Sequence, residues 1–244
     1  MRILALESSG LVASIAFAED DVLLGEYTTN HKKTHSQTLL PMLETLSKMI
    51  EIELNTVDAI AVSKGPGSFT GLRIGSATAK GLGLALDKPI IPVPTVDALA
   101  YNLWGTDRLI CPIIDARRQQ VYTGLYSFEE DTLCTHLAQC SLDIGEIVQK
   151  VNEIGREVIF LGDGVAVHAD FIAEHCKVAY SFAPVTMNRQ KASSVACLAK
   201  VLYEQGVIES AREHKPDYLK ASQAERELAA GTLGVSKGQG FKIC

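Results

Sequence analysis

Residues 58–93 read Asp-Ala-Ile-Ala-Val-Ser, then Lys64-Gly65-Pro66-Gly67-Ser68, then a long segment reaching Leu86, then Pro-Ile-Ile-Pro-Val. The first run has the length and composition of a buried strand, and the glycines and proline after it punctuate the chain. From Thr70 to Leu86 the small and apolar residues recur at helical spacing, and residues 89–93 read as another strand. Strand, glycine loop, helix and strand in that order predict a right-handed parallel crossover within one sheet, so the fold class is α/β.

Upstream, residues 3–6 and 13–17 are apolar runs separated by Glu7-Ser8-Ser9-Gly10, and residues 22–27 follow a turn at Asp20-Asp21. These predict an antiparallel meander. Leu39, Leu43, Leu46 and Ile50 then recur at i, i+4, i+7 and i+11, which predicts an amphipathic helix over residues 34–50, with Thr38 as N-cap so that Pro41 falls in the first turn. Downstream, residues 96–104 read as a helix and Gly105-Thr106-Asp107 as a boundary. The opening order then returns: a strand at 109–114, a polar turn from Asp115 to Gln119, a strand at 121–128 and a turn at 129–131. A strand at 157–161 ends in Gly162-Asp163-Gly164, and residues 191–204 form a helix. We read two related lobes with a cleft between them, residues 1–105 and 106–215. A C-terminal segment, 216–244, follows, helical at 222–230 and flexible at its end.

The 244 residues are 47% hydrophobic and 21% charged, enough to bury a core. Lys and Arg number 23 against 29 Asp and Glu, a formal charge of −6, which argues against this chain holding a polyanion by itself. No segment approaches the roughly 20 apolar residues of a membrane span, and Glu7 and Gly10 interrupt the start before a signal sequence could form. A soluble cytoplasmic protein is expected. Cys111, Cys134, Cys140, Cys176, Cys197 and Cys244 are scattered without metal-ligand spacing and read as reduced thiols.

The glycine loop at 65–68 opens a helix, where free N–H groups favour an anion, yet it lacks a P-loop ending and is equally a tight turn. Within the helix, Gly71, Gly75, Ala79 and Gly83 fall on every fourth residue. Each glycine costs about 0.8–1 kcal/mol of helix propensity relative to alanine, so something must approach closely there, either the same domain or a second subunit. His31 and His35 stand four apart, but Lys32 and Lys33 lie between them and no metal site is expected. In a two-lobed ATPase the turn Glu7, Ser8, Ser9 would hug phosphates, Asp115 beside Arg117 and Arg118 would occupy the matching second turn, and Gly162, Asp163 and Gly164 would abut an adenosine. These seven are the candidate nucleotide-binding residues. No lysine or threonine-rich clamp accompanies them, no nucleophile–base set can be assembled, and no catalytic residue is assigned.

ILALESSG at 3–10, HSQTLLPML at 35–43, AIAVSKGPGSFTGLRIGSATAKGLGLAL at 59–86, DARRQQVY at 115–122 and PDYLKAS at 216–222 resemble the bacterial TsaB (YeaZ) family. The resemblance implies an actin-like, ribonuclease-H-like (ASKHA) fold, two lobes each with a mixed sheet and helices, shared with sugar kinases and with the paralogue TsaD. It implies a non-catalytic partner of TsaD in making N6-threonylcarbamoyladenosine at position 37 of tRNAs that read codons beginning with A. TsaD would carry the metal and the transfer, TsaE would join a ternary complex, and tRNA would be met only through the complex. Alone, the chain would form a homodimer. No cofactor is intrinsic; ATP or ADP with Mg belongs to the assembled complex. The implied interface uses the first two helices, with His35, Leu39, Leu43 and Leu46 on one and Gly71, Leu72, Arg73, Gly75 and Ala79 on the other, Arg73 serving as polar anchor. Part of the apolar content should then stand exposed on those helices. This chain departs from the family at the first turn, where Asp-Thr-Ser is usual and Glu7-Ser8-Ser9 stands. The alternative reading is an independent ATPase or small-molecule kinase of the actin-like superfamily.

Overall fold

The computed structural model describes residues 1–31 and 34–219; the expected helix at 222–230 and the chain end lie outside the described residues. The meander forms as β1 (Arg2–Glu7), β2 (Ala13–Glu19) and β3 (Val22–Thr29). The helix α1 (His35–Met49) follows, then β4 (Ala59–Gly65), α2 (Phe69–Leu86) and β5 (Ile90–Pro94). The sheet order is β3-β2-β1-β4-β5, with β1, β4 and β5 parallel. The helix α1 starts earlier than its proline suggested: Thr34 is the N-cap and Pro41 lies inside the helix. The residue can stay because only one backbone donor is lost on an exposed flank.

After α3 (Thr95–Ala100) the order of elements repeats as β6 (Leu109–Asp115), β7 (Gln120–Glu129), β8 (Thr132–Asp143), α4 (Ile144–Ile154), β9 (Val158–Leu161), α5 (Gly164–His175), β10 (Tyr180–Phe182) and α6 (Ala192–Glu204). The second sheet, β8-β7-β6-β9-β10, has the topology of the first. The chain is thus an α/β protein of two related lobes, each with a mixed sheet.

Strand alternation decides what each sheet face can accept. Leu4, Leu6, Ile15, Phe17, Ile60 and Val62 point to one side of the first sheet and meet Leu39, Leu43, Leu46 and Ala79 of α1 and α2. On the other side Ala5, Ala16, Ala59 and Ala61 leave room for a close helix, and that helix is α6, through Val195, Ala196 and Ala199. The expected boundary at residue 105 is therefore crossed: residues 192–204, assigned to the second lobe, complete the core of the first. In exchange, α3 of the first half lays Val96 and Leu99 against Ile110, Ile114 and Tyr126 of the second sheet. The opposite face of that sheet is covered by α4 and α5. The helix α4 carries its own signals, a capping box of Asp143 and Glu146, apolar Ile144, Ile147, Val148 and Val151, and Gly155 at its C-cap.

Candidate functional site and docking surface

All the candidate nucleotide residues sit at the C-terminal ends of strands, where open α/β sheets bind ligands. Glu7 ends β1, and its side chain is buried. One carboxyl oxygen accepts from the Ser9 N–H at 2.6 Å and the Ser9 hydroxyl at 2.5 Å, while the other accepts from the Ser63 hydroxyl at the end of β4. Burial raises the Glu7 pKa, with those donors opposing. Both oxygens are engaged inside the chain, and Glu7 is 1% exposed.

The rest of the turn is equally enclosed. The Ser8 hydroxyl donates to Gly71 O at 2.9 Å, and Ser9 O accepts from the Ser68 N–H at 2.7 Å. A Cβ placed on Gly71 would fall onto Ser8 O, one on Gly75 onto the Ser8 hydroxyl, and one on Gly67 onto Ser9 O. Gly67, Gly71 and Gly75 are thus required by the chain's own first turn, which occupies the groove in α2. His35 belongs to the same contact: its Nε2 lies 2.8 Å from Gly10 O, and since a carbonyl only accepts, Nε2 carries the hydrogen. Ser63 is the member of this network that the sequence did not single out; its position at the end of an apolar strand, before the glycine loop, is the signal.

Across the cleft, Asp163 Oδ1 accepts from the Asp115 N–H at 3.0 Å, and Asp115 Oδ1 from the Arg117 N–H at 2.9 Å. Burial raises the Asp163 pKa. The Gly162 N–H donates to Asn188 Oδ1 at 2.8 Å, and Arg189 reaches Gly162 O at 3.0 Å. Gly162 and Gly164 both press on Ile113 O. Gln190, two residues beyond Asn188, lies with its amide 3.2 Å from where a Gly10 Cβ would stand. Residues 188–190 thus touch both turns, Asn188 and Arg189 at Gly162 and Gln190 at Gly10. The first turn does not fit a phosphate clamp: its carboxylate and hydroxyls point into the chain. Among the described residues no three His, Cys, Asp or Glu side chains group to hold a metal.

Between α3 and the second sheet, the Tyr126 hydroxyl of β7 donates to Asp97 Oδ1 of α3 at 2.6 Å. Burial raises the Asp97 pKa, with the Tyr126 hydrogen bond opposing, and raises that of Tyr126. Tyr126→Phe should therefore cost about 2 kcal/mol by leaving a buried carboxylate without its donor, lowering the melting temperature by about 4–8 °C. The hydroxyl favours the charged form of Asp97, so the loss should be larger at neutral pH than near pH 4, read by thermal denaturation at both.

The expected interface residues divide. Leu39, Leu43, Leu46, Gly71, Leu72, Gly75 and Ala79 are buried in the chain itself, and His35 is tied to the first turn, so none of these eight presents a docking side chain. The apolar spacing marks which face is covered, and here the cover is the chain's own sheet. Arg73 does face outward, its guanidinium 3.9 Å from the centre of the Phe69 ring and its Nε 3.3 Å from the Tyr218 hydroxyl. Outward with it stand Leu40 and Met49 of α1 and Leu84 of α2, 54%, 74% and 56% exposed.

Residues 22–228 match the family model described as TsaD, tRNA N6-adenosine threonylcarbamoyltransferase. The chain is 34% identical over 227 residues to the tRNA threonylcarbamoyladenosine biosynthesis protein TsaB of Bacillus subtilis, covering 92% of this chain and 96% of that protein. It is 27% identical over 232 residues to the Escherichia coli protein of the same description, covering 93% and 98%. Among solved structures it resembles a Pseudomonas aeruginosa protein described as similar to peptidase YEAZ, with a TM-score of 0.77, 25% identity, and 90% and 99% of the two chains covered.

Proposed function

The chain belongs to the TsaB family, with a role in tRNA threonylcarbamoyladenosine biosynthesis, and on that premise we propose that it is the non-catalytic partner of a TsaD-type threonylcarbamoyltransferase. The product is N6-threonylcarbamoyladenosine at position 37 of tRNAs reading codons that begin with A. The observation that carries this reading is the split within α1 and α2: their inner faces are consumed by the core, while Leu40 of α1 and Leu84 of α2 stand outward. Arg73, held by Phe69 and Tyr218, is the polar anchor on the side of α2 that carries Leu84, about three turns away.

Alone, the chain pairs with a second copy through this face and exchanges that copy for TsaD, after which TsaE completes the ternary complex. With a formal charge of −6 the chain leaves tRNA to its partner. ATP or ADP with Mg belongs to the assembled complex rather than to the turn at Glu7, whose oxygens are already engaged. The enclosed turn also weighs against an independent kinase.

The test is a Leu40→Glu/Leu84→Glu double variant, placed where no core contact is lost. It should fall at least about tenfold in co-purification with TsaD and in tRNA threonylcarbamoylation by the reconstituted complex. Val167→Glu, 61% exposed on α5 of the second lobe, is the control. Full assembly and activity in the double variant would overturn the reading.

A further inference from the structure

The chain after α6 doubles back over the first lobe. Glu209 and Ile90 exchange backbone hydrogen bonds of 2.9 and 2.8 Å, which caps the outer edge of β5. Ala211 enters the core, 2.9 Å from where a Gly83 Cβ would stand. Lys80 of α2 donates to the carbonyls of Arg212 and His214, each at 3.0 Å. The Asp217 N–H donates to Lys64 O at 2.6 Å, and Tyr218 packs on Phe69 with ring centroids 4.7 Å apart. Residues 209–218 form a strap along the length of α2.

His214 sits in the middle of this strap, 1% exposed. Its Nδ1 lies 2.8 Å from Glu209 Oε2, and because a carboxylate only accepts, Nδ1 carries the hydrogen. Nε2 is then a bare acceptor, buried and without a partner. A second proton would have to sit on Nε2, where no acceptor receives it. The charged groups facing the ring are Glu209 on the strap, which would favour that proton, and Lys80 on α2 and Lys64 at the end of β4, which would oppose it.

We propose that residues 209–218 are an acid-released latch, in which neutral His214 holds the strap down and protonation at Nε2 lifts it from the β5 edge and from α2. Burial first, and then the two lysines, holds the ring below its ordinary 6.5, with Glu209 opposing. A freed strap binds more protons than a seated one in that window. The latch is therefore whole above 6.5 and weakens as pH falls from there through the lowered value. Release bares the backbone donor and acceptor of Ile90 on an edge strand, and the side of α2 that carries Gly83.

Amide hydrogen exchange on the full chain at about pH 7.5 and about pH 5.5, corrected for intrinsic rates, reads the strap directly. The amides of Ile90, Glu209 and Asp217 should lose protection about tenfold on the acid side while those of β9 hold theirs. His214→Gln keeps a donor for Glu209 and cannot titrate, so this pH difference should vanish. Should that variant fail to fold, the NMR titration of the wild-type imidazole decides, with a midpoint below the ordinary value expected. Equal strap protection at the two pH values, an unaltered pH difference in His214→Gln, or an imidazole midpoint at or above 6.5 would each overturn the latch.

Discussion

Gly71→Ala should cost about 3 kcal/mol and lower the melting temperature by about 6–12 °C, although it adds a single methyl group to a helix and improves helix propensity. The added carbon would fall onto the carbonyl oxygen of Ser8, a backbone atom in a turn held on every side. Ser8 donates back to Gly71 O, Ser9 O is bound by the Ser68 N–H, and Glu7 is fixed by three donors. The turn cannot retreat, so α2 must lift from the sheet and lose part of its burial over Val62 and Leu6. Gly81 supplies the internal control. Nothing lies within 4 Å of a Cβ built there, and it faces solvent on the same helix. Gly81→Ala should raise stability by about 0.8–1 kcal/mol, about 2–4 °C. Identical chemistry with opposite signs, measured by calorimetry, separates a glycine needed for approach from one that is merely tolerated.

The second large effect is expected at Glu7. Glu7→Ala should cost about 3–4 kcal/mol, because it leaves the Ser9 N–H and the Ser9 and Ser63 hydroxyls without their acceptor and opens a hole between β1 and β4. Glu7→Gln should cost roughly 1 kcal/mol, since its carbonyl can still take the Ser9 pair and its amide can donate to the Ser63 hydroxyl. The pH dependence follows from the raised pKa of Glu7, whose largest cause is burial. The folded state holds that proton more tightly than the unfolded chain. Its contribution is complete below the ordinary 4.5 and is lost as pH rises through the raised value. The deficit of the glutamine variant against wild type should therefore shrink as pH rises above 4.5, measured by denaturant unfolding across that range. A turn that bound Mg-nucleotide would instead show a Glu7-dependent gain in stability on adding it.

Through the first half of the chain the pattern was legible. The apolar run of β1, the spacing of Leu39, Leu43 and Leu46, and the Gly-rich stripe all lie in the elements that the residue pattern predicts. The repeated order of elements likewise appears as two sheets of one topology. Missed in the sequence were α4, α5 and β10: α5 begins at Gly164-Val-Ala-Val without a side-chain cap, β10 is three residues long, and the capping box of Asp143 and Glu146 was the unused signal for α4. At the site, the carboxylates and glycines stand at strand ends as expected, but the direction of their hydrogen bonds was not legible. The Ser8 hydroxyl goes to Gly71 O and the second Glu7 oxygen takes the Ser63 hydroxyl, and both partners lie far along the sequence.

The elements of the first half, the returning order of strands and the family are readable from residues alone, since these depend on spacing along the chain and on runs of particular residues. Which surface covers each apolar face is settled by long-range packing. A stripe of small residues states that something approaches α2; it does not say whether that is a partner or the turn at Ser8. Four alanines on one side of the first sheet state that a helix fits closely; they do not say that α6 returns from the far half of the chain to fill the place. Burial removes apolar area from water whatever the source of the cover, so the hydrophobic pattern constrains the face and leaves its neighbour to the long-range packing.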